Sequence, residues 1–254
     1  MSTGRIATRK EAMGGSTLSE IGKIKIGIKA TSAKGKEYPK AIDYFRPTGQ
    51  FANAFIKKFG DQPKELKVVF LSDDVSEVCN QRYECWEGGK RWGWGDGETF
   101  TIWDKVKGLY VDGVVKGDPR IRAVGKWDEM LTIRFVLLEL PGIMGTWSFQ
   151  TKAKAVTIPS IVKAFDFVKE KAGTIIGFPF SLTVEMAKGY NPGDPKAYPV
   201  VSLVPNFTED TIEMVQNYIQ AGGSINRLTS RMIANNQLDP KVLEIGTGEG
   251  VNNG

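Results

Sequence analysis

Residues 130–172 constrain the fold more than any other part of the chain. Residues 131–140 alternate partly and then become mostly apolar, as a buried strand does. Pro141-Gly142 ends this run, because proline lacks a ladder donor and glycine tolerates the positive φ of a turn. Residues 147–149 predict a second strand, so the two strands form a hairpin. A helix over residues 161–172 would cover it.

That predicted helix has a start, an end and one apolar face. Ser160 is the expected N-cap and Gly173 the expected stop. Ile161, Phe165 and Val168 share one side of the helix, as core-facing residues do. A strand hairpin with a helix across it makes a core, but it does not indicate a biochemical activity.

The remaining periodicity predicts an α+β fold, with a mainly antiparallel β-sheet core, covering helices and a C-terminal helical pair. Strands are expected at residues 23–29, 66–71, 82–87, 90–94, 98–103, 174–186 and 200–204, and a polar loop at 31–40. Further helices are expected at residues 49–59 (capped by Thr48), 209–221 and 224–235. We divide the chain into a flexible arm (1–19), a core domain (20–204), a helical appendage (205–237) and a flexible tail (238–254).

Composition excludes several classes of protein. The 254 residues are 41% hydrophobic, enough for a sizeable core, and no run of about 18 apolar residues predicts a membrane span. The polar residues 1–19 lack a signal-peptide core, which favours a cytoplasmic protein. Cys79 and Cys85 are too few for a disulfide framework and lack zinc-knuckle spacing, so we interpret them as ordinary reduced thiols.

The chain contains no histidine, which excludes serine–histidine triads and histidine-ligated zinc. A hydrolase would have to use carboxylates and a metal ion, and eight acidic residues are close in sequence. They are Asp73, Asp74, Glu77, Glu84, Glu87, Asp96, Glu98 and Asp104. Alternating strands would scatter them and turns favour aspartate locally, so a solvated face is the preferred interpretation. We therefore predict no catalytic residue, no metal site and no cofactor.

The amino-terminal quarter is basic, with 12 Lys/Arg against 4 Asp/Glu in residues 1–60. Lys23, Lys25 and Lys29 alternate with isoleucines and would form a row on one face of a strand. One interpretation is an edge strand that lysines protect from aggregation. The other is a basic row that contacts the phosphates of a nucleic acid.

Residues 77–104 hold four of the six tryptophans among several glycines. Lys90-Arg91-Trp92-Gly-Trp94 interleaves basic and aromatic side chains on a short strand. This pattern suits single-stranded nucleic acid, because bases stack on indole rings while phosphates pair with cations. The alternative is that the tryptophans pack into a small secondary core.

Two carboxy-terminal patterns carry less weight. Residues 242–250 imitate a strand followed by a nucleotide-binding glycine loop, but no helix follows to supply its N-terminus. The two C-terminal helices imitate a helix-turn-helix with Arg227 and Arg231 on the second. Their region is net acidic, so packing or partner contact is preferred to DNA binding.

Three segments resemble the phage recombination directionality factors, which act with large serine integrases. Gly22-Lys-Ile-Lys-Ile-Gly27 and Asp43-Tyr-Phe-Arg46 resemble the opening of that family. Leu140-Pro-Gly-Ile-Met-Gly-Thr-Trp147-Ser-Phe-Gln-Thr151 resembles its Pro-Gly…Gly-x-Trp segment, and the similarity spans roughly residues 20–190. None of these segments is a catalytic signature.

The resemblance implies a non-enzymatic phage or prophage DNA-transaction protein in the cytoplasm of a bacterial host cell. It would act on an integrase–DNA complex. The basic strand and the tryptophan-rich hairpins add the expectation that it binds DNA, preferably single-stranded. The expected contacts are Lys23, Lys25, Lys29, Arg46, Lys90 and Arg91 for phosphates, with Trp92 and Trp94 for stacking. One alternative is a protein-binding module of a phage replication or recombination complex that does not touch DNA. A metal-dependent hydrolase is the other.

Overall fold

The structure, a computed structural model, describes residues 19–140, 142–143, 145–189 and 197–235. The predicted arm up to residue 18, the predicted tail and the glycine-rich segment 242–250 lie outside the described residues. The strands are β1 Glu20–Thr31, β2 Glu37–Gly49, β3 Glu65–Val69, β4 Cys79–Glu87, β5 Lys90–Gly95, β6 Thr99–Asp104, β7 Leu109–Val115, β8 Trp127–Leu137, β9 Thr146–Thr151, β10 Pro179–Lys188 and β11 Ala197–Pro205. The helices are α1 Ala52–Phe59, α2 Val75–Val78, α3 Pro119–Val124, α4 Thr157–Ala172, α5 Glu209–Gln220 and α6 Ile225–Asn235.

These strands form one branched sheet. Eight of them follow the order β11-β10-β3-β8-β4-β5-β6-β7, and β9 connects β8 to β1, which pairs with β2. The β1–β9 pairing is parallel, and the other strand pairings are antiparallel. The predicted α+β fold with a mainly antiparallel sheet is confirmed.

The hairpin and helix of residues 130–172 are present, with different boundaries. Phe135 of β8 is opposite Trp147 of β9, as a hairpin requires. Helix α4 begins at Thr157, so the prediction that Ser160 is the N-cap is wrong. The extra turn forms because Thr157 is buried, where its hydroxyl oxygen accepts a hydrogen bond from the backbone of Val201 at 3.2 Å. The stop at Gly173, with φ of 77°, is confirmed.

The core lies between the sheet and α4. Ile161, Phe165 and Val168 of α4 are buried there, as predicted, together with the indole ring of Trp147. Gly22 has no space for a side chain, since a Cβ atom would lie 2.5 Å from the Trp147 ring. A second, smaller cluster lies under the β4–β7 strands. Its buried members are Cys85, Phe100, Ile102, Val114 and Val124.

Two predictions near β1 and β2, and one of the two interpretations left open for β1, are wrong. Residues 31–40 are not all loop, because β2 begins at Glu37. Thr48 does not cap α1, because it belongs to β2 and its hydroxyl donates to the Lys23 carbonyl at 3.2 Å. Nor is β1 an edge strand over its first half, which pairs with β2 on one side and β9 on the other.

The two C-terminal helices pack against the core. Ile212, Val215 and Tyr218 of α5 and Leu228 of α6 are buried in the main cluster. The packing interpretation of this helical pair is therefore confirmed. The boundaries of the core domain and the appendage stay a prediction.

Candidate nucleic-acid interface

The outer face of the sheet, opposite α4, is continuous from β1 to β5. Its aligned pairs are Lys23–Ser148 (β1–β9), Ser148–Arg134 (β9–β8), Asp128–Glu84 (β8–β4) and Glu84–Trp94 (β4–β5). Aligned residues of neighbouring strands have their side chains on the same face, and steps of two residues keep that face. The register therefore places Lys23 and Trp94 on one face of one sheet.

At one end of the outer face lie Lys23, Lys25 and Arg46, which we call the lysine end. Lys23 and Lys25 are exposed while Ile24 between them is buried, so the predicted alternation is confirmed. Lys25 is directly opposite Arg46. Among the described residues, neither of these two cations forms an ion pair, while Lys23 approaches Glu20 at 3.6 Å. Lys29 lies farther along β1 and pairs with Glu37 at 3.3 Å.

At the other end, strands β5, β6 and β7 bring together Arg91, Trp94, Trp103 and Tyr110, which we call the aromatic end. The Arg91 guanidinium carbon lies 4.2 Å from the Trp94 ring centroid. The ring of Tyr110 lies 4.9 Å from that of Trp94 and 5.1 Å from that of Trp103. The Tyr110 hydroxyl donates to the carbonyl of Arg91 at 2.6 Å. One guanidinium group and three aromatic rings are thus in contact at this end of the sheet.

A β-bulge determines which side chains meet. The β4–β5 register shifts between Cys85 and Trp86, so that Trp86 is opposite Arg91 while Cys85 is opposite Gly93. Trp92 occupies the extra position and packs against the second cluster. Its ring is contacted by Lys105, whose Nζ lies 4.9 Å from the ring centroid. The structure therefore places Arg91 over Trp94, while Trp92 packs against the second cluster and stays partly exposed next to Arg91.

Glu84 is buried beneath the aromatic end, with 2% of its side chain exposed. Its Oε1 accepts a hydrogen bond from Nε of Arg82 at 2.7 Å, and its Oε2 accepts one from Nε1 of Trp86 at 2.6 Å. Arg91 lies 3.9 Å away on the same side. The solvated-face prediction is wrong for Glu84, because β8 and β5 flank its strand, and for Glu77, which is also buried. This carboxylate holds the guanidinium groups in place.

A depression of about 450 Å³ opens beside these rings, lined by Lys90, Arg91, Trp92, Trp103 and Tyr110. Sequence reasoning missed Trp103 and Tyr110 as candidate stacking residues. The strand that carries Tyr110 was not predicted, so the spacing that places residues 103 and 110 opposite each other across a turn went unused. Exposed Lys90 lies at the start of β5, next to the rings, as predicted.

Among the other acidic residues, Asp73 accepts long-range hydrogen bonds from the Thr174 hydroxyl and the Ile175 backbone, both at 2.7 Å, whereas Asp96 and Asp104 have local roles. Asp96 accepts hydrogen bonds from the backbone of Thr99 and Glu98, which lower the pKa of its carboxyl group. Asp104 accepts from the backbone of Lys107 and Val106 with the same effect on its pKa. Within the described ranges, no three His, Cys, Asp or Glu side chains are grouped as ligands of a metal ion.

Both cysteines are buried and unpaired, in different clusters. Cys79 belongs to the main cluster, where burial raises the pKa of its thiol to about 12. Cys85 belongs to the second cluster, and burial raises its pKa as well. The two thiols therefore belong to different clusters.

The comparisons with known proteins point to one family. A family described as Gp3-like, recombination directionality factor-like, matches residues 21–206. No curated protein and no solved structure matches the chain. Among the described residues, no helix is both long enough and apolar enough to cross a membrane.

Proposed function

The chain belongs to the recombination directionality factor-like family of phage proteins, and from this we propose that it is a non-enzymatic DNA-transaction protein with its own DNA-binding surface. It acts on an integrase–DNA complex in the cytoplasm of the bacterial host. Such a factor needs only a different affinity for two arrangements of that complex, because binding energy alone shifts an equilibrium between them. The outer face is the surface that contacts DNA.

The observation that carries this proposal is the pair of opposed cations at the lysine end. Like charges directly opposite each other destabilise a sheet. Lys25 and Arg46 are opposed, exposed and without an acidic partner among the described residues. A row of phosphates relieves this repulsion, and release of counterions from the nucleic acid adds to the affinity.

The aromatic end supports a preference for single strands. Unpaired bases stack on aromatic rings, and each stacked base contributes about 1–3 kcal/mol. Trp94, Trp103 and Tyr110 are partly exposed rings on the same face as the lysine end, with Arg91 beside them. In a duplex the bases already stack on one another, so these rings have less to bind.

Anisotropy of labelled single-stranded and double-stranded DNA of equal length, titrated at several salt concentrations, tests the proposal. Single strands should bind more tightly. Replacing Lys25 and Arg46 by alanine should reduce the salt slope for single strands by about 1.4, since each lost phosphate contact removes about 0.7. The matched control replaces Lys163 and Lys171, two exposed lysines of α4 on the opposite side of the sheet. It should leave the slope unchanged.

The tryptophans separate stacking from packing in the same titration. Trp94→Ala should weaken single-strand binding by about tenfold, in line with the loss of one stacked base. The role of Trp92 as a second stacking residue stays a prediction. If Trp92 stacks on a base, Trp92→Ala should weaken single-strand binding. If Trp92 only packs against the second cluster, the change should lower the melting temperature and leave the affinity unchanged. Wild-type affinity in the Trp94 and Lys25/Arg46 variants, or no DNA binding by the parent protein, would contradict the proposal.

A second candidate function, a protein-binding module without DNA contact, is favoured by exposed apolar side chains on the β6–β7 hairpin. Val106 is 97% exposed, Val115 62% and Leu109 50%. Such a patch suits an integrase or a phage replication protein. Salt distinguishes the two functions, because an apolar interface responds weakly to salt while phosphate contacts respond steeply.

A further inference from the structure

The hydroxyl of Ser148, in the middle of β9, lacks a hydrogen-bond partner within the described part of the chain. Its side chain is 1% exposed, and among the described residues its Oγ is the buried side-chain atom that lacks a hydrogen-bond partner. A buried donor without an acceptor destabilises a protein, which is why natural structures satisfy nearly all of them. A ligand that accepts a hydrogen bond from this hydroxyl would remove the free-energy penalty of burying it without a partner.

Ser148 lines a depression on the outer face of the sheet. Strands β1 and β9 pair up to Ile24 and Phe149 and then have no further register partners. A depression of about 330 Å³ lies at this point, and its lining includes Lys23, Lys25, Ser148 and Gln150. It therefore adjoins the lysine end.

The side chains that line this depression favour an oxyanion as its ligand. Two ammonium groups and one hydroxyl offer donors, and the depression has no carboxylate in its lining. The Gln150 amide is anchored by a hydrogen bond from its Nε2 to the Thr132 hydroxyl at 3.1 Å, and keeps a second N–H free to donate. Charge-assisted hydrogen bonds of this kind are the strong ones, and phosphate oxygens accept them.

We propose that this depression binds one phosphate group of a nucleic acid backbone, with Ser148 donating the hydrogen bond that positions it. The proposal rests on the DNA-binding function above and names its central contact. The hydroxyl is covered in the free protein, so the phosphate displaces a side chain of the rim. Lys23 and Lys25 are long and exposed, and rotate at little cost.

The variant Ser148→Ala tests the proposal through two measurements with opposite signs. Removing an unpartnered hydroxyl should raise the melting temperature in chloride buffer. The same change should weaken binding of a labelled twelve-nucleotide oligothymidylate by about tenfold while leaving the salt slope unchanged, because no cation is lost. Inorganic phosphate at equal ionic strength should stabilise the parent protein more than the variant.

Ser181→Ala is the matched control. Ser181 is also a buried strand serine, but its hydroxyl donates to Oε1 of Glu65 at 2.7 Å. Its replacement should lower the melting temperature and leave both oligonucleotide affinity and the phosphate response unchanged. Phosphate stabilises many proteins non-specifically, so the difference between parent and variant is the measurement that counts.

The outcomes separate this site from the wider function. If the parent binds DNA and Ser148→Ala binds it equally well, the phosphate site is overturned while DNA binding stands. A phosphate response that depends on Ser148 in a protein that does not bind DNA would support the site and overturn the function. Displacement of the oligonucleotide by an equal charge of oligoglutamate, as effectively as by unlabelled DNA, would overturn the assignment to nucleic acid.

Discussion

Glu84 shows how one side chain determines the geometry of the aromatic end. A buried carboxylate is costly unless charged donors surround it. Arg82 and Trp86 donate to its two oxygens, and Arg91 lies within 4 Å of it while also covering Trp94. The arginine at the rings is therefore held in position before any ligand arrives.

Replacing Glu84 by glutamine should lower the free energy of unfolding by about 1.5–3 kcal/mol, the usual worth of a hydrogen bond to a charged group. The amide cannot neutralise Arg82, although its oxygen still accepts from Trp86. Urea unfolding measures the change. The control is Glu98→Gln, where both partners of the ion pair with Lys116 are exposed and little change is expected. Equal stability of the two variants would contradict the structural role of Glu84.

Single residues were predictable where their surroundings are local. The exposure of Lys23 and Lys25 follows from strand alternation, and the roles of Asp96 and Asp104 follow from turn chemistry within three residues. The burial of Glu84 depends on strands far away in sequence, and no local pattern indicates it. The same is true of the unpartnered hydroxyl of Ser148.

At the scale of elements, the β4–β5 bulge explains why pattern and structure differ. Strict alternation would place Trp92 and Trp94 on one face. One extra residue in β5 instead puts Arg91 beside Trp94, while Trp92 packs against the second cluster and still lines the depression with Arg91. Sequence predicted the strand, but a bulge is set by pairing on both sides and has no signature here.

The parallel pairing of β1 with β9 was also beyond the sequence patterns. It brings together two of the three segments that carry the family resemblance, with Gly22 in register with Trp147. The sequence predicted each strand separately. Their contact explains why a glycine and a tryptophan 125 positions apart belong to one motif.

Helix α3 gives a prediction about pH. Asp118 is its N-cap, and the Arg120 side chain and backbone N–H hold the pKa of this carboxyl at about 2. Because the pKa is lower in the folded state, the stabilisation is present above about pH 4 and is lost as pH falls from about 4 towards 2. The NMR shift of the Arg120 amide should titrate with a midpoint near 2, and Asp118→Asn should abolish that transition. A midpoint near 4 would contradict the capping geometry.

At the scale of the whole molecule, the two cysteines report separately on the two clusters. Cys79 lies in the main cluster with α4, and Cys85 in the small cluster with α3. Since local opening is easier where less apolar surface is buried, Cys85 should be alkylated at lower urea concentration than Cys79. Mass spectrometry after brief labelling at pH 8 measures both thiols. Simultaneous labelling would show that both clusters open in one cooperative step.

The fold class was predictable because it depends only on the order and type of elements. The branching at β8, which pairs with β3, β4 and β9, required long-range pairing that periodicity does not encode. The lysine end, and Arg91 and Trp94 of the aromatic end, were candidates from local composition, whereas Trp103 and Tyr110 were missed. That the two ends lie on one face followed only from the register of five strands.

The route across those five strands has a mechanical consequence. Four steps between neighbouring strands separate the lysine end from the aromatic end, or about 19 Å. Sheets twist by about 20–25° at each step, so the surface rotates by roughly 80–100° along this route. A rigid rod lying on such a propeller-shaped surface meets one end or the other, and a duplex is rigid over about 150 base pairs. A flexible single strand follows the curve and reaches both ends.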